Sequence, residues 1–242
     1  HATSTWTSQE AIDHWMEHGL RYRPGDRLAD SKSIVRGKLE WNSPETQAKL
    51  HSQRCDLLLN TFWPDGMNRV TGREYNGLLE TACFQKGEMS CLSCHAMHKG
   101  DDDPRSYAEW ADDQLKPGMR GNAACLPCHG EYRDDGKLRA HTHHTASSTG
   151  SLCYNCHMPY TTYGLLKTIR SHTISNPSAA ETVDAGRPNA CNLCHLDKSL
   201  EWTADALSRW YGIQKPALEE DDRTTAASVR PGSPPETPIS SM

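Results

Sequence analysis

Phenylalanine is nearly missing from this 242-residue chain: there are two, and hydrophobic residues of all kinds reach only 36%. The length allows one domain or two small ones. So thin an apolar supply would not fill a self-sufficient core of that size, and a bound cofactor is expected to add apolar mass. A basic excess is also missing. The formal net charge of −5 excludes the positive footprint of a nucleic-acid binder, so no nucleic-acid partner is expected. Apolar runs fall short of the roughly 18 residues a membrane helix needs, so no membrane span is expected. No leader segment is expected in these residues either. The chain starts at His1 rather than Met, as processing or truncation would leave it.

Cysteine and histidine are plentiful, at 10 and 13 residues. Eight of the cysteines fall in four copies of one pentapeptide: "CLSCH" (91–95), "CLPCH" (125–129), "CYNCH" (153–157) and "CNLCH" (191–195). Chance alone would supply about 0.02 copies of Cys-x-x-Cys-His from this composition. The pentapeptide is the attachment signal for c-type haem: two thiols form thioethers to the porphyrin, and the next histidine sits under the iron. A Cys₄ zinc site or a redox dithiol has no need for histidine after the second cysteine of each pair. Four c-type haems are therefore expected, on Cys91/Cys94/His95, Cys125/Cys128/His129, Cys153/Cys156/His157 and Cys191/Cys194/His195. Covalent haem attachment takes place outside the cytoplasm, so a periplasmic or extracellular, cell-surface location follows. Cys55 and Cys83 remain, and in an oxidising compartment the simplest use of a leftover pair is a disulfide.

An iron in a porphyrin has one coordination position beyond the ring and the proximal histidine, and what fills it separates electron transfer from chemistry. Nine histidines are left for it: His1, His14, His18, His51, His98, His141, His143, His144 and His172. His98 cannot easily serve its own haem but can serve the neighbour at 125–129. One of the "HTHH" cluster is expected to be a ligand, His144 or His143 ahead of His141. His172, before the turn-forming Asn-Pro, is a further candidate. The last ligand is expected from the N-terminal region, His51 ahead of His14, His18 and His1.

Residues 1–88 carry no attachment motif and form a haem-free region. Within them "SQEAIDHWMEHG" (8–19) reads as a helix with Ser8 as N-cap, an apolar face of Ile12, Trp15 and Met16, and Gly19 as stop. Residues 20–80 look irregular, with "RPGD" and "WPDG" as turns. Residues 89–212 form the tetrahaem domain, with helices expected at 105–115 and 198–212. Residues 213–242 hold five prolines and no aromatic residue, and read as a tail, disordered unless docked. Strand signals are few. The expected fold class is mainly α with extensive coil, its core built around four covalently attached haems.

From Met89 to about Trp202 the chain resembles the haem core of cytochrome c nitrite reductase and the octahaem hydroxylamine-oxidoreductase-like cytochromes. The likeness is carried by "CLPCHGEY", "CYNCHMP" and "SHTISNP" followed by "CNLCH". The resemblance implies His172 as distal ligand to the 91–95 haem and one histidine of 141–144 as distal ligand to the 191–195 haem. Glu131 and Tyr132 match active-site and calcium-site positions of that family, but the Cys-x-x-Cys-Lys motif of its catalytic haem is absent. The family's Met-Pro haem takes its distal histidine from downstream, whereas here none follows His195. The segment "FWPDGMNRVTGREYNGLLETACF" resembles multihaem cytochromes in which a further haem-binding half comes first, so this chain could be the C-terminal part of one. The leading expectation is electron transfer through four closely spaced, mostly bis-histidine haems, with redox proteins as partners and no catalytic residues. Two alternatives stand beside it: self-association into a conductive filament, and reduction of a nitrogen or sulfur oxyanion at a five-coordinate haem.

Overall fold

A computed structural model describes residues 4–23, 25–37 and 60–226. It is helix-rich, with two short two-stranded sheets and much coil between elements.

The first sheet pairs β1 (Ser4–Trp6) with β2 (Lys32–Ile34), antiparallel, Ser4 opposite Ile34. Between them runs α1 (Gln9–His18). Its caps are those expected from the sequence: the Ser8 hydroxyl accepts the Ala11 N–H, and Gly19, at φ +79°, donates its N–H to Trp15 at 2.9 Å. None of its residues is buried. Trp15 meets Trp6, ring centres 5.4 Å apart.

Residues 60–85 are more ordered than the sequence suggested. Phe62, Trp63 and Met67 are buried, and the turn closes through Gly66 N–H to the Trp63 carbonyl. Helices α2 (Glu74–Leu79) and α3 (Ala82–Gln85) follow. The Trp63 indole donates to the Thr161 carbonyl at 2.9 Å, and Asp65 meets Arg187 at 2.6 Å. These long-range contacts bind 60–81 to the motif-bearing part of the chain, so the boundary expected at residue 88 is not a break in packing.

Helices α4 (Cys91–Cys94), α5 (Tyr107–Asp113), α6 (Asp135–Thr142) and α7 (Cys153–His157) come next. A hairpin of β3 (Thr162–Tyr163) and β4 (Thr168–Ile169) follows, then α8 (Ala180–Ala185) and α9 (Leu200–Tyr211). Ser199 caps α9 by accepting the Trp202 N–H, and Gly212 ends it at φ +68°. Its inner face buries Leu200, Thr203, Ala204, Ala206 and Leu207.

The expected tail needs correction. Residues 213–226 dock: Leu218 packs on a cluster of Ala179, Leu200 and Ala204, and α10 (Glu220–Thr224) buries Asp222. Ser199 bridges to Ala226. Proline and charge lower the apolar count of this segment, but one leucine and one capping carboxylate hold it. Among the described residues, no helix is long and apolar enough to cross a membrane.

Candidate functional site

Each Cys-x-x-Cys-His is a single helical turn. The histidine N–H of three motifs donates to the first cysteine's carbonyl: His95 to Cys91 and His195 to Cys191 at 2.9 Å, His129 to Cys125 at 3.0 Å. In the other, α7 itself spans Cys153 to His157. A turn of this pitch puts residues three and four apart on one face, so both thiols and the imidazole look the same way.

What those imidazoles face is the centre of the site. His95 lies against His172, ring centres 6.1 Å apart. His157 lies against His141 at 6.0 Å and 5° between planes. His195 lies against His144 at 6.0 Å. Two imidazoles collinear on one metal, each bonded at about 2 Å, hold their ring centres about 6 Å apart. The observed separations match that spacing. Three motif histidines therefore meet a second histidine at the spacing a shared metal requires.

The tautomers agree with that use. His95 Nδ1 donates to the Asp113 carbonyl at 3.1 Å, His157 Nδ1 to the Ser175 carbonyl at 2.9 Å, and His144 Nδ1 to the Thr142 carbonyl at 2.6 Å. A carbonyl only accepts, so the proton is on Nδ1 and the lone pair on Nε2 is free for a metal. Burial, then His157 and His143, hold the His141 pKa below its ordinary value; burial does the same for His172, reinforced by His95 and partly offset by Glu74. Both shifts favour the neutral imidazole, the form that can ligate a metal.

The elements that bring distal rings into place were invisible in the sequence. Gly77 on α2 passes backbone to backbone over residues 172–173: a Cβ there would stand 2.9 Å from Thr173 N and 3.0 Å from the His172 carbonyl carbon. Gly150 underlies the His144 ring, where a Cβ would stand 2.2 Å from Cδ2. Arg170 braces the approach to His172, sandwiched between Tyr154 (3.9 Å) and Tyr160 (4.2 Å) and donating to the Tyr154 and Met158 carbonyls.

The motifs neighbour one another in chain order. Cys94 is within electrostatic reach of Cys128, Cys125 sits against Cys153, and Cys156 is near Cys191 and Cys194. Asn122 locks the second motif to the third, donating to the Ser151 carbonyl and accepting the Cys153 N–H, each at 2.8 Å. Asn192 locks the fourth to α9, accepting from Thr203 at 2.7 Å. A cavity of about 460 Å³ opens beside Cys194, Asn155 and Tyr160.

Several expectations are placed differently. His141, expected last of its cluster, is the ring that faces His157 among the described residues, where the N-terminal region was expected to supply a partner. The reason is local: α6 ends at Thr142, and His141 in its last turn points at α7. His143 stacks on Trp210, 4.2 Å and 11°, rather than on a motif histidine. His98 and His129 are exposed, and among the described residues neither has a ring partner. His14 and His18 meet each other on α1, ring centres 4.9 Å apart. His1, His51 and Cys55 lie outside the described residues; Cys83, half-buried, is near Cys94 and Cys125. Tyr132 lies over His141 at 4.7 Å.

No protein-family model matches the chain, and no curated protein does. Among solved structures, it is similar to the outer cell wall cytochrome OcwA, at 18% identity and a TM-score of 0.46. The match covers 79% of this chain and 45% of that one, so the chain spans less than half of that protein's length.

Proposed function

We propose that this chain is a multihaem c-type cytochrome that passes single electrons along four covalently attached haems outside the cytoplasm. The observation that carries this reading is the set of three histidine pairs at 6.0–6.1 Å, each joining an attachment-motif histidine to one from elsewhere. In this reading His95/His172, His157/His141 and His195/His144 are axial pairs, and the cysteines of the four motifs hold the porphyrins. The bound haem supplies a one-electron ferric–ferrous couple. The chain's own residues do the rest. Carbonyls of Asp113, Ser175 and Thr142 fix the imidazole tautomers, and the adjacency of the motifs in chain order keeps successive haems close. Redox proteins are the partners this implies.

Intact mass under denaturing conditions tests the cofactor: the expected value is the polypeptide plus four haems, and apoprotein mass would overturn the reading. Ferric spectra test the ligation: low-spin, six-coordinate signals are expected for three haems.

A second reading is favoured at one motif only. His129 has no ring partner among the described residues, which leaves its iron open to a small ligand such as a nitrogen or sulfur oxyanion. Carbon monoxide would then bind one haem per chain in the reduced protein. No binding at all would mean that a donor such as His51 or a neighbouring chain, as in a filament, closes that iron.

A further inference from the structure

We infer that His143 is the positioning residue that turns His141 and His144 toward two different irons, and that it ligates neither. The inference rests on the proposed reading of the paired histidines as axial ligands. Four residues, His141 to His144, face two motifs: His141 the 153–157 motif and His144 the 191–195 motif. Had α6 continued, residues 141 and 144 would share one face, three positions apart, and could not diverge.

The divergence is made at residue 143. Its backbone is left-handed, φ +57° and ψ +21°, and its N–H closes the helix onto the Arg139 carbonyl at 2.8 Å. Only Gln114 shares a positive φ among the described non-glycine residues. Any residue with a Cβ enters this region at some cost, smaller for asparagine, aspartate and histidine than for a β-branched residue, and contacts around the ring add to what holds it there. The His143 ring lies flat on Trp210 at 4.2 Å and edge-on to Tyr211 at 5.7 Å. The Tyr211 hydroxyl also donates to the His141 carbonyl. Past the turn, His144 N–H and Nδ1 both bond back to Thr142, whose hydroxyl meets Ser151 at 3.0 Å. The C-terminal end of α9 thus grips the pivot, and two neighbouring irons depend on one contact.

Three variants of the haem-loaded protein test this, read by electron paramagnetic resonance and resonance Raman of the ferric state. His143→Asn keeps a residue that accepts the left-handed backbone and should keep every low-spin signal. His143→Val, β-branched and excluded from that region, should lose two low-spin signals together and leave that of the His95/His172 pair as the internal sign of a folded chain. Loss of one signal in His143→Asn would mean that His143 is a ligand, and no loss in His143→Val would mean that it positions nothing; either overturns the inference. Should the valine variant not fold, Trp210→Ala carries the test: equal high-spin gain at two haems supports the pivot, and a change at one or none overturns it. Absence of low-spin haem in the unmodified protein would instead defeat the axial-pair reading itself.

Discussion

A ring pair 6 Å apart is a demanding arrangement, because each imidazole must be held without touching its partner. Two glycines make it possible here, and each supports a prediction. Gly150→Ala puts a methyl group inside the His144 ring position, so one haem, that of the 191–195 motif, should turn high-spin while those of the 91–95 and 153–157 motifs stay low-spin. Optical and resonance Raman spectra check this. Gly77→Ala forces apart backbones that are already in contact and should do the same to the 91–95 haem through His172, with a stability loss of about 1–3 kcal/mol for an overpacked contact. His98→Ala, at an exposed site with no ring partner among the described residues, should leave all spectra unchanged. The histidines themselves were legible in the sequence. The glycines were not, since a close approach between distant segments leaves no local pattern.

Helix α8 and the turn after it show how an element is anchored without an apolar core. Arg187, buried, joins Glu181 and Asp65 at 2.6 Å each. Burial nevertheless pushes the Glu181 carboxyl up to about 7; Arg187 pulls the other way but is shared with Asp65, which also opposes ionisation. A folded pKa above the unfolded value near 4.3 means the folded state binds the extra proton between the two. This contribution to stability is complete below about pH 4 and is lost as pH rises through about 7. Glu181→Gln should remove that dependence. Relative to the variant, the parent protein should lose roughly 3 kcal/mol between those limits, measured as denaturant midpoints across the range. At α9, Leu200 is fully buried, and Leu200→Ala should cost about 2–5 kcal/mol for the cavity left. Helix α1 was legible because its serine N-cap and glycine stop are local signals, and α9 was expected over 198–212. The docking of α10 was not, because it depends on where Leu218 finds a buried surface.

At the scale of the whole molecule, among the described residues, Ala179, Leu200 and Ala204 form an apolar cluster with Leu218 against it, and Phe62, Trp63, Met67 and Leu78 are buried as well. Many fully buried side chains are polar, among them Thr81, Thr161, Ser171, Asn189 and Thr203. Such a mixed interior gains less from the hydrophobic effect than an all-apolar one, and the porphyrins are expected to add contact. Chain produced without haem attachment should therefore lack near-ultraviolet circular dichroism and a cooperative thermal transition; a sharp transition in the apoprotein would contradict this. The sequence by itself determined the four attachment motifs, because that signal needs only the five neighbouring residues of one helical turn. It also determined the mainly helical, coil-rich class. Tertiary structure alone decided that His141 faces the 153–157 motif and that His144 is the member of its cluster facing 191–195; the meeting of His95 with His172 was what the family resemblance implied. His95 and His172, or His144 and His195, are far apart along the chain, and their meeting depends on a glycine crossing, a left-handed turn and a half-buried arginine brace. Spacing in sequence cannot encode a distance that is set by packing.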